Sequence, residues 1–135
     1  MNTNTLKYDF YLHIKRKLEE VDGLSTSNVS NQYLDEIPLN TISYPWCTVK
    51  TRLNMENVGN QLVTFRTGIV RLIIYDSNLT NLYGLYDKVI NKLEENDDEL
   101  YLVSWNDDED MLNLDGTKPH YISVDIELNI YPKNN

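Results

Sequence analysis

Two histidines, one cysteine and a run of four acids are the side chains of this chain best suited to chemistry. His13 and His120 lie 107 positions apart in a sequence of 135. A zinc site built on both would need two further ligands, and the single Cys47 falls in an extended run with no histidine spaced to activate it. All three therefore read as ordinary structural residues. Asp107-Asp108-Glu109-Asp110 resembles the start of a calcium loop, which requires Gly at its sixth position and Glu at its twelfth. Counting from Asp108, those positions hold Asn113 and Pro119. A solvated acidic turn is the better reading. The sequence has no glycine-rich phosphate loop and no nucleophile elbow. None of its 21 acids is flanked by the apolar residues that would raise a carboxyl pKa. The expectation is no enzyme, no metal and no cofactor.

The acids carry a different signal. Nine lie between Glu94 and Asp110 with no Lys or Arg among them, and the remaining 12 equal the 12 bases of the rest of the chain. The net charge of −9 is thus a local feature. It argues against wrapping nucleic acid, which needs a concentrated basic surface. It suits repulsion of a polyanion or docking of a basic partner.

The chain's length suits one domain, residues 1–135. No apolar run approaches the roughly 20 residues of a membrane span, and the first residues lack the basic and apolar regions of a signal peptide. Synthesis in the cytoplasm is expected.

Helical spacing of Leu6, Phe10, Tyr11, Ile14, Leu18 and Val21 predicts a helix over about 5–21. A weakly patterned stretch over 24–43 is long for a loop, so it is functional or hides short elements. An extended run over 46–53 and another over 62–75 flank a turn containing Gly59-Asn60. A strand of about 14 residues is unusually long, which implies a bulge near Gly68 or a hairpin that projects as an arm. Leu79, Leu82, Tyr83, Tyr86, Val89, Ile90 and Leu93 then mark a helix over about 79–95. Glu94, Glu95, Asp97 and Asp98 sit at its C-terminal end, where the helix dipole disfavours them. Strands over 99–105 and 119–131 complete the chain, with the acidic turn between them. The expected fold is α+β: a four-stranded antiparallel or mixed sheet, two helices on its apolar face, and a projecting β-hairpin.

This order of elements resembles the tail terminator (tail completion) family of long-tailed bacteriophages and related head-to-tail joining proteins. The likeness rests on the N-terminal helix, Pro45-Trp46-Cys47-Thr48-Val49, and Val70-Arg71-Leu72-Ile73-Ile74-Tyr75-Asp76-Ser77. The helix ending Leu85–Leu93 and the closing strand His120–Ile130 complete it. The resemblance implies a structural virion protein at the head–tail interface. Copies would form a ring, a hexamer or a dodecamer, that ends tail growth, joins the tube to the head and lets DNA pass. Its partners would be itself, the tail tube protein and portal-side proteins, with neither sequence-specific nucleic-acid binding nor a membrane. Aromatic and apolar residues of the loop and hairpin are the expected subunit contacts: Tyr33, Tyr44, Trp46, Leu53, Met55, Val58 and Leu62. Glu94, Glu95, Asp97, Asp98, Asp107, Asp108, Glu109 and Asp110 would line the lumen or rim. The competing expectation is an acidic DNA mimic that inhibits a host nucleic-acid-binding protein.

Overall fold

A computed structural model describes residues 6–38, 41–57, 64–95, 97–111 and 119–130. Helix α1 (Leu6–Glu19) buries Leu6, Phe10, Ile14 and Leu18, one residue every four, so a single stripe faces inward. It ends in a turn whose Gly23 adopts φ of 100°, a left-handed conformation that side chains resist. The stretch after it holds two short elements, β1 (Val29–Ser30) and a single 3-10 turn at Leu34–Glu36.

Strands β2 (Trp46–Asn57) and β3 (Thr64–Asp76) form a hairpin in continuous register, from Trp46 opposite Tyr75 to Asn57 opposite Thr64. Helix α2 (Leu79–Glu94) opens on Asn78, whose side-chain oxygen accepts a hydrogen bond from the Asn81 N–H at 3.0 Å. Strands β4 (Leu100–Met111) and β5 (His120–Ile130) follow. The sheet has five strands in the order β1-β2-β3-β5-β4, where four were expected. It is mixed, because β1 runs parallel to β2, pairing Val29 with Cys47 and Ser30 with Thr48. The other neighbours are antiparallel. Strand β5 lies between β3 and β4, so α2 crosses over a strand that comes later in the chain.

The sheet's two faces differ. Cys47, Val49, Val70, Leu72, Ile74, Ile122, Val124, Ile126 and Leu128 are buried with both helices in the main core. At about 25 cal/mol per Å² of apolar area, burial on this face is the main driving force for folding. On the opposite face the stretch after α1 returns across one end of the sheet. There Leu34, Ile37, Trp46 and Tyr75 form a second buried cluster, with Tyr44, Ile73 and Tyr121 against it. Elsewhere on that face the described side chains are half-buried or exposed, apart from buried Thr48 and Thr67.

The structure excludes one of the two alternatives for the long strand and corrects the placement of the acids. No bulge interrupts β3 at Gly68, which lies in register between Leu53 of β2 and Leu128 of β5. The Phe10 ring occupies the space where a Cβ would stand. The acids 107–110 lie in β4 and not in a turn, opposite Val124, Ser123, Ile122 and Tyr121 of β5. Pairing with a well-formed neighbour outweighs the poor strand propensity of Asp.

Candidate functional site

Strand β4 is the feature the sequence made hardest to see. Beyond Leu100 its side chains are mostly exposed on both faces of the sheet, including Tyr101, Val103, Trp105 and Met111. Large apolar groups of this kind on a sheet edge invite a protein partner. Among the described residues β5 is its only strand neighbour. Its ladder shifts register between Leu102 and Ser104, so that Val103 is an extra residue.

Because side chains alternate along a strand, the four acids divide between two faces. Asp107 and Glu109 turn toward the helices. The Tyr86 hydroxyl donates to Asp107 and the Tyr83 hydroxyl donates to Glu109, the latter at 3.1 Å. Burial and the Asp107 hydrogen bond push the Tyr86 hydroxyl up to about 12. Tyr83 and Tyr86 therefore reach toward the edge strand, while Leu85 joins Leu82, Val89, Ile90 and Leu93 inside. Asp108 and Asp110 lie on the open face. Their Oδ1 atoms accept the edge-pointing backbone N–H groups of Glu109 at 2.9 Å and Met111 at 2.8 Å.

The acids at the α2–β4 corner have different roles. Asp97 Oδ2 lies 2.6 Å from His13 Nε2 and 3.1 Å from Lys17 Nζ. Its Oδ1 accepts the Glu99 N–H at 2.8 Å. Burial alone would raise the Asp97 pKa, but these partners outweigh it and hold the carboxyl down to about 2. His13 Nδ1 also lies 2.9 Å from a Glu99 oxygen. His13 thus ties α1 to the corner, far from His120 at the start of β5. Among the described residues no three His, Cys, Asp or Glu side chains gather to hold a metal ion. Glu94, Glu95 and Asp98 are exposed. Glu95 meets Lys92 at 3.2 Å, and Lys92 also meets Glu20 at 2.7 Å.

The anticipated contact residues are scattered. Trp46 is buried and Tyr44 half-buried in the second cluster. Tyr33 lies under the Lys50 ammonium, 4.5 Å from its ring centre. Leu53 is half-buried against the main core. The Met55 backbone sits opposite Arg66 in the hairpin. Val58 and Leu62 lie outside the described residues. Cys47 is fully buried, and desolvation pushes its thiol up to about 12, which keeps it protonated and inert.

Sequence reasoning missed the opposite edge of the sheet. Strand β1 covers only Cys47 and Thr48 of β2, so β2 is open from Val49 onward among the described residues. Lys50 and Arg52 stand there on the open face. Arg71 of β3 pairs with Asp125 of β5 at 2.9 Å. Across that face, charge runs from basic at the β2 edge to acidic at the β4 edge. No family model matches this chain, and no curated protein sequence matches it.

Proposed function

We propose that this protein is a structural component of a phage virion whose copies close into a ring at the head–tail junction, with DNA passing through the lumen. The carrying observation is β4: an edge strand on which exposed Tyr101, Val103, Trp105 and Met111 accompany four acids. Such a strand favours cover by protein and repels a polyanion. The exposed corner acids Glu94, Glu95 and Asp98 are the proposed rim groups that keep DNA from adhering. The long hairpin of β2 and β3 is the proposed arm toward a neighbouring protein. The DNA-mimic reading fits less well, because Lys50, Arg52 and Arg71 interrupt the acidic face with positive charge.

The test is genetic and structural. The polypeptide should be found in purified virions by mass spectrometry. Deleting its gene should leave heads and tails unjoined in electron micrographs. Normal joined particles without the polypeptide would refute the proposal.

A further inference from the structure

We infer that the acidic edge strand β4 of one copy pairs antiparallel with the basic edge of β2 in a second copy, continuing the sheet from subunit to subunit. Strands β2, β3, β5 and β4 alternate in direction, since each is antiparallel to its neighbour. The two outer strands, β2 and β4, therefore run in opposite directions. A second copy set alongside in the same orientation meets β4 with an antiparallel β2, which is the favoured geometry for edge addition.

Backbone polarity agrees. The Cys47 N–H points away from β3 and reaches the Asn28 carbonyl at 2.9 Å, so Val49 and Thr51, two and four residues on, point the same way. On β4 the amides of Glu109 and Met111 donate to the flanking Asp108 and Asp110 side chains, and by the alternation of an antiparallel ladder they face the edge. Placing Thr51 opposite Glu109 and Val49 opposite Met111 aligns both sets. The same register keeps the faces matched, with Lys50 beside Asp110 and Arg52 beside Asp108 on the open face. On the helix face, a groove of about 420 Å³ lined by Lys7, Tyr8, Tyr11 and Thr51 receives Met111 and Glu109 of the incoming strand.

Charge selects this contact over the symmetric ones. A two-fold pairing of β4 with β4 centred on Glu109 would set Asp108 opposite Asp110, and one of β2 with β2 centred on Thr51 would set Lys50 opposite Arg52. Like charges directly opposite one another destabilise a ladder, and opposite charges favour it. Only the heterologous contact satisfies both edges, and such contacts make rings or filaments. The inference deepens the ring reading and rests on it for closure.

The test is a cysteine pair, Lys50→Cys with Asp110→Cys, in the full chain. Directly opposed, non-hydrogen-bonded positions lie about 4.5 Å apart at Cα, within disulfide range, and buried Cys47 does not compete. Under mild oxidation, at concentrations that occupy even a millimolar interface, the double variant should give a ladder of covalent multimers. Each single variant should stay monomeric on a non-reducing gel. Absence of the ladder, or dimers from Asp110→Cys alone, would overturn the inference. Circular dichroism confirms that the variants fold, and Asp108→Lys with Asp110→Lys should abolish association of the parent chain, which Lys50→Glu with Arg52→Glu then restores. Rings of the parent chain without cross-linking would sink the edge contact alone. A ladder that grows into open filaments would sink the ring reading alone.

Discussion

Gly68 tests the packing of α1 on the sheet most directly. It lies in the middle of β3, and its φ is not in the left-handed region, since Gly23 is the only described glycine with positive φ. An alanine could adopt its backbone conformation without strain. The obstacle is Phe10, fully buried, with three ring carbons in the space a Cβ would need. Overpacking of this kind costs about 1–3 kcal/mol, offset by about 0.5–1 kcal/mol from the reduced freedom of the unfolded chain. Gly68→Ala should therefore lose about 1–2 kcal/mol, read as a lower urea midpoint at unchanged slope. Each kcal/mol corresponds to about 3–5 °C in Tm for a chain of this size. In a Phe10→Leu background the same substitution should cost under ~0.5 kcal/mol, a coupling of about 1 kcal/mol in the double-mutant cycle. Gly84 is the control. It lies inside α2 with nothing within 4 Å of an added Cβ, so Gly84→Ala should gain about 0.5–1 kcal/mol of helix propensity. If Gly68→Ala is as stable as the parent, or costs the same in the Phe10→Leu background as beside the native Phe10, the ring contact does not determine this position.

Asp97 predicts a pH dependence. Its folded pKa of about 2 lies below the ordinary 3.8, so its contribution is complete above the ordinary value and disappears as pH falls through about 2. After allowance for solvent screening, this amounts to about 1–2 kcal/mol. Asp97→Asn, which keeps an acceptor for the Glu99 N–H, should flatten the stability curve between about pH 4 and 2; parallel curves for the two proteins would refute this. Cys47, buried with its thiol raised to about 12, should react with thiol reagents only on unfolding. Labelling should therefore speed up with denaturant, and prompt stoichiometric labelling of the native protein would show that the site opens locally.

The stripe of Leu6, Phe10, Ile14 and Leu18, and the alternation from Ile122 to Ile130, were legible because both arise from local geometry. A helix or strand imposes its period on whatever residues face the core. The cluster of acids was legible too, and so were the long hairpin and the helix starting at Leu79. Their placement was not. Nothing local marks 107–110 as strand, because Asp and Asn favour turns, and β5, which holds them extended, comes later in the chain. The insertion of β5 between β3 and β4, the burial of Trp46 with Leu34, Ile37 and Tyr44, and the reason for Gly68 all depend on contacts between distant segments. Spacing along the sequence sets which way a side chain points. Only the packed sheet decides what it meets, because strand order and opposing edges come from pairings that local propensity does not encode.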